Sequence, residues 1–254
     1  SLATAGDAGL EPEDYDATQL GALAATLERG GSDREQALRF DAALTIGALR
    51  FVSALARGRI DPAAAHATFS VNRGTLDLAA TVERLRSSTV LEPILQSIEP
   101  PWSHYRLLKR ALARYRQLAR DTTLLGVPRP RRGGVREGGA YPGAANLRRL
   151  LFAFGDLSSA AAATRGGDTV LTAELVDGIR RFQVRQGFRA DGIMGDSTWY
   201  RLTRPFGQHV RQMVLTLERW RWLPRVFTSP PILINIPAFR LHLFTAGNDA
   251  EETV

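Results

Sequence analysis

The side chains best suited to covalent or metal chemistry are scattered in this sequence. Four histidines, His66, His104, His209 and His242, stand singly. None has the paired spacing by which imidazoles share a zinc ion, so no metal and no other cofactor is expected. There is no cysteine, which removes disulfides, thiolate ligands and any cysteine nucleophile, and leaves every histidine without a thiol to activate. Arginine is the other abundant functional group. From Ser103 onward one helical face carries Arg106, Lys109, Arg110, Arg114, Arg116 and Arg120, and the other carries Tyr105, Leu108, Leu112, Tyr115 and Leu118. A basic face with tyrosines could hold an anionic polymer, but these tyrosines fall on the apolar stripe and read as core.

The elements that would position such groups are mainly helical. With 44% hydrophobic and 23% charged residues the composition is that of a globular protein, and 254 residues allow two or three small domains. The net charge is +7 with Lys109 as the single lysine, so the positive charge is almost all arginine. It is also uneven, with acidic residues dominating the first 41 positions and arginines dominating 104–149. A nucleic-acid adaptor is therefore an alternative, weakened by the absence of a recognition motif. No apolar run approaches the about 20 residues of a membrane-spanning helix. The opening SLATAGDAGL is either the processed start of an exported protein or an arbitrary boundary.

The spacing predicts a helix over 16–29, then a capping box at Ser32 and Glu35 opening a second helix. Apolar residues on two stripes of that helix, among them Leu38, Leu44, Ile46, Phe51 and Leu55, place it at the centre of a bundle. Asp61 and Pro62 open another helix, and further helices follow at 75–87, 90–98 and from Ser103. Residues 126–144 are rich in Gly, Pro and Arg without apolar periodicity, and read as a linker or a long mobile loop. Beyond it Leu147, Leu150, Leu151 and Phe154 mark a short helix, and Thr172 opens one with Leu175, Ile179 and Phe182. The stretch GFRADGIMGDSTWYRLTRPF then needs a turn at Asp191 and Gly192, a second bend at Gly195, and a cap at Asp196 or Ser197 for a third helix bearing Trp199. Such dense punctuation folds three short helices into a very small core. After a helix carrying Phe206, Val210, Met213, Leu217 and Trp220, the alternation Ile232, Ile234, Ile236 and then Leu241, Phe244 gives a β hairpin.

RRFQVRQGFRADGIMGDSTWYRL resembles the repeat of the peptidoglycan-binding-like domain, matching it at Phe182, Gln183, Gly187, Asp191, Gly192, Gly195 and Thr198. The resemblance covers about 146–203, is closest in its second half, and implies that these motif residues build the fold. LERWRWLP followed by INIPAFRL is similar to the entry into the catalytic domain of the large periplasmic L,D-transpeptidases, and the helices from 34 to 120 resemble the scaffold domain of the same enzymes. The expected architecture is thus a helical scaffold bundle (1–125), the linker (126–145), the small three-helix domain (146–203), a helix returning to the scaffold (204–229), and a hairpin that starts an incomplete catalytic domain (230–254). In that family a cysteine in a Ser-His-Gly-Cys setting forms the acyl-enzyme that makes 3-3 cross-links. The resemblance therefore implies a non-catalytic, truncated portion of such an enzyme, periplasmic, with no transpeptidase activity of its own; a stand-alone cell-wall binding module is the alternative. Peptidoglycan is the expected partner, with other cell-wall synthesis proteins beside it, and neither nucleic acid nor a membrane. Arg185, Arg189 and Trp199 are the candidate wall contacts, weighed against a packed Trp199 with solvated arginines. The apolar hairpin at 232–244 calls for a cover, through self-association or docking near Trp220 and Trp222.

Overall fold

The computed structural model describes residues 2–30, 34–65, 76–163, 168–226, 232–235, 240–244 and 251–253. Two compact units divide the chain, one of Ser1–Ala113 with Arg211–Val254 and one of Arg114–Val210. The fold is mainly α.

In the first unit, 3-10 turns at Leu2–Ala8 and Pro12–Tyr15 precede α1 (Ala17–Glu28) and α2 (Arg34–Arg57). Ser32 of the expected capping box lies outside the described residues. The short α3 (Pro62–Ala65) opens with Asp61 accepting from the Ala63 amide at 3.2 Å. Then come α4 (Leu78–Arg86), capped by Asp77 on the Ala80 amide, α5 (Glu92–Ile98), and the N-terminal part of α6 (Ser103–Leu118), whose Tyr105 and Leu112 are buried as the periodicity requires. The core gathers Ala5, Leu10, Tyr15, Phe51, Val52, Leu55 and Ile98, with Tyr15 and Phe51 packed edge to face at 5.3 Å.

Helix α2 is not central over its length, which corrects the expectation from its apolar girth. Burial begins at Gly47, where a side chain would meet the Tyr15 carbonyl oxygen at 3.1 Å, and continues through Phe51 and Leu55. Leu38 and Ile46 are 61% and 56% exposed. The reason is length. At 1.5 Å per residue α2 runs about 36 Å, while α1, α4 and α5 have 12, 9 and 7 residues and are too short to cover it.

The C-terminal part of α11 (Phe206–Trp222) belongs to this unit and carries a buried polar cluster. The Arg221 guanidinium donates to the Ala8 carbonyl, to Tyr105 Oη at 2.9 Å and to Glu218 Oε2 at 3.4 Å. Glu218 Oε1 in turn accepts from the amides of Arg59 and Ile60 at 2.6 and 2.9 Å. Burial pushes the Tyr105 hydroxyl up to about 12, against the opposing pull of Arg221. Gly9, at φ +71°, brings the N-terminal segment against Leu217, whose Cδ1 would stand 3.1 Å from an added Cβ. Three strands complete the unit: β1 (Ile232–Asn235) pairs antiparallel with β2 (Arg240–Phe244), setting Ile232 opposite Leu243, and β3 (Glu251–Thr253) adds to β2.

The second unit packs α7 (Ala144–Phe154), α8 (Ser159–Ala163), α9 (Ala173–Arg185) and α10 (Asp196–Leu202) around Leu147, Leu150, Leu151, Leu175, Ile179, Phe182, Met194 and Leu202. The α8 turn fills part of the chain between α7 and α9. The Gly/Pro/Arg-rich stretch at 126–145 is not a free linker. Val127, Val135 and Tyr141 are buried in this core, Val135 bridges Met194, and Ala140 bridges Val170. Tyr141 donates from its hydroxyl to the Pro128 carbonyl at 2.5 Å. Isolated apolar side chains and main-chain bridges hold the segment without any helical or strand period to announce it.

Candidate functional site

The second unit is organised by one buried amide. Gln183, 3% exposed, sits on the inner face of α9 one residue after Phe182. Its Nε2 donates to Asp191 Oδ1 at 2.9 Å and Thr198 Oγ1 at 3.1 Å, and its Oε1 accepts from the Gly192 amide at 2.9 Å. Asp191 Oδ1 also accepts from the Ile193 amide at 2.9 Å. The Ile193 amide first, then Gln183 and the charges of Arg189 and Arg136, holds the Asp191 carboxyl below its usual range. Gly187, at φ +73°, ends α9. Gly192 takes φ +71°, and a Cβ there would stand 2.7 Å from Val176 Cγ1. The motif residues Phe182, Gln183, Gly187, Asp191, Gly192 and Thr198 thus form one packed turn and its supports.

Gly195 departs from the expected second bend. It lies at the N-cap of α10 with φ −101° and ψ 178°, extended backbone open to any residue, and nothing comes within 4 Å of where a methyl group would sit. Neither Asp196 nor Ser197 caps the helix: Asp196 is its first residue and pairs with Arg129 Nε at 2.8 Å.

On the outer side of α10 a cleft of about 460 Å³ is lined by Arg129, Phe188, Asp196, Trp199, Tyr200 and Arg201. Trp199 is anchored through Nε1 to the Val127 carbonyl at 2.8 Å, with the Arg129 guanidinium 5.7 Å from its ring centre. Tyr200 is 70% exposed. Arg201 stands over the Phe188 ring at 5.6 Å, and among the described residues no carboxylate pairs with it. Aromatic faces beside guanidinium groups can stack on the apolar face of a sugar ring and bind its pendant carboxylates.

Of the candidate wall contacts Arg185, Arg189 and Trp199, only Trp199 lines this cleft. Arg185 binds Asp156 bidentately, at 2.5 and 3.2 Å, and covers the rings of Phe154 and Phe182. Arg189 is exposed and contributes its charge near Asp191. Tyr200, Phe188, Arg201 and Arg129 complete the cleft and were not singled out. The helical period held the signal for Tyr200: with Thr198 and Leu202 turned inward, residue 200 of the same short helix must face out. Arg129 had no such signal, because it lies in the stretch that reads as a linker.

Among the described residues no three metal-ligating side chains come together, and no helix is long and apolar enough to cross a membrane. No curated protein matches the chain. Residues 1–112 match the Scaffold domain family and residues 142–202 match the peptidoglycan binding domain family, so this is a cell-wall-related protein with peptidoglycan as a partner.

Proposed function

We propose that the chain is the scaffold and peptidoglycan-binding portion of a periplasmic L,D-transpeptidase, and that it holds glycan strands at the Tyr200 cleft. The observation that carries the glycan assignment is the exposed Tyr200 ring beside Trp199, Phe188 and Arg201 on one side of α10. Support for the transpeptidase link is the order of the two family matches followed by LERWRWLP and the paired strands at 232–244. Ile232 and Ile234, both more than half exposed, offer that sheet as a surface for self-association. A chain carrying Ile232→Ser and Ile234→Ser with unchanged mass in solution would remove that part of the reading.

Cosedimentation with purified cell-wall sacculi tests the cleft. Tyr200→Ala should weaken binding roughly three- to tenfold, the worth of one aromatic contact, while leaving the melting profile intact because the side chain is exposed. Unchanged affinity would refute the assignment. The transpeptidase link stands or falls on whether the encoding gene continues past Val254 into a Ser-His-Gly-Cys motif.

A further inference from the structure

A second cleft, of about 750 Å³ in the first unit, lies between α5 and α6 and is walled by Pro93 and Pro100. Arg106, Lys109, Arg110 and Arg225 line it, and they face a single lining carboxylate, Glu99. That carboxylate is spent on Lys109, at 2.5 Å, with both groups largely buried. Among the described residues Arg225 is held by main-chain carbonyls: its guanidinium donates to Ile98 O and, at 2.6 Å, to Ser97 O. Desolvation lowers its pKa, and no acidic group offsets the loss. Arg106 donates to the Pro101 carbonyl at 2.6 Å. Arg110 is exposed and, among the described residues, has no hydrogen-bonding or ionic partner.

Fixing a half-buried guanidinium on neutral carbonyls leaves its charge uncompensated, an arrangement that favours an external anion. Planar guanidinium forks match carboxylates in geometry, and the rigid proline wall suits an extended peptide backbone beside them. We propose that this cleft binds a peptide through its free carboxylates, and that the peptide is the stem of peptidoglycan. The inference rests on the cell-wall reading above but uses a different unit and a different part of the polymer: Tyr200 takes the sugar, Arg110 and Arg225 take the peptide.

Calorimetric titration of the full chain with a soluble, sugar-free stem tetrapeptide tests it, against the same peptide with its carboxyls amidated. The acidic peptide should bind, and amidation should weaken it about tenfold or more through loss of the charge-assisted pairs. Arg110→Gln should weaken the acidic peptide about fivefold, with no change in melting because the side chain has no partner to lose. Arg84→Gln, at an exposed arginine of α4 outside the cleft, should change nothing. Equal affinity for the amidated peptide, or an unchanged affinity in Arg110→Gln, overturns the proposal. So does displacement of the peptide by equimolar inorganic phosphate, which would make this a phosphate site. If the stem peptide fails to bind while Tyr200→Ala still loses sacculi, this inference is wrong and the cell-wall reading stands. If wild-type chain also fails to sediment with sacculi, the cell-wall reading itself has failed.

Discussion

Gln183→Leu should destabilise the second unit by about 3 kcal/mol. Leucine has nearly the same volume, so little of the effect is a cavity. The Gly192 amide, buried with Gln183 Oε1 as its acceptor at 2.9 Å, is left unsatisfied at a cost of about 1–3 kcal/mol. Asp191 and Thr198 lose a donor at 2.9 and 3.1 Å. Asp191 reaches water and can replace it, so this adds only about 1 kcal/mol. In a unit of roughly 100 residues each kcal/mol moves the midpoint by about 4–8 °C, giving a fall of about 12–24 °C. Amide exchange in α9 and α10 of the full chain, followed through a thermal ramp, isolates this unit. A loss under about 1 kcal/mol would refute the claim that one amide organises the motif.

The sign of the pH response gives a second check. In the native chain Asp191 has a depressed carboxyl pKa, so it contributes stability above the ordinary aspartate value near pH 3.9, lost as pH falls through the lower folded value. Gln183→Glu inverts this. The introduced carboxyl is buried beside Asp191, its pKa must rise, and the variant should gain stability as pH falls from 7 toward 5. A variant that responds like the native chain contradicts the geometry.

Gly192→Ala should cost about 2 kcal/mol or more, from the positive φ and the Val176 contact, while Gly195→Ala should stay within about 0.5 kcal/mol, both read by denaturant midpoint. His209 has a pKa lowered by burial and then by Arg204, Arg185 and Arg201, and its Nε2 is buried without a hydrogen-bond partner among the described residues; the unfolded chain then binds the proton first, so stability falls as pH drops below about 6.5, and His209→Gln should flatten that slope in melting curves from pH 8 to 5. Glu218→Ala strands the buried Arg221 charge and should cost about 3–5 kcal/mol, part of which Arg221→Met in the same chain recovers.

The motif around Gln183 was legible because each of its residues has a narrow physical role: an amide that both donates and accepts, a glycine with positive φ, a carboxylate that closes a turn. Gly192 and Gly195 show the limit. Both look like bends in sequence, and only the folded backbone separates a left-handed residue from an extended one at a helix N-cap. Helix α2 was legible as a helix but not in its burial, since Leu38 and Ile46 name no partner and neighbour length decides what is covered. The stretch at 126–145 misled because its order comes from Val127, Val135 and Tyr141 bonding to residues far along the chain, a dependence without local period. Arg129 was hidden with it, and so was one wall of the cleft.

The arginine excess, which in sequence is indistinguishable from compositional bias, has a physical pattern in the fold. Arg221 is buried on a carbonyl, a phenol and a carboxylate; Arg185 bridges Asp156 and two rings; Arg114 donates to the Ala153 carbonyl at 2.5 Å. These uses need several directed donors in one plane, which a lysine ammonium does not offer. A basic chain built this way uses much of its charge internally, and its net charge is a poor guide to what it binds. The informative cations are those left over once the internal pairs are set aside. Arg201 over Phe188 and Arg110 beside Arg225 are two such sites, and each sits in a cleft with an apolar wall. A nucleic-acid surface would instead array exposed arginines along a phosphate spacing and lose affinity steeply with salt. Two walled clefts with few free cations, one in each unit, suit a polymer of sugars that bear carboxylate-rich peptides.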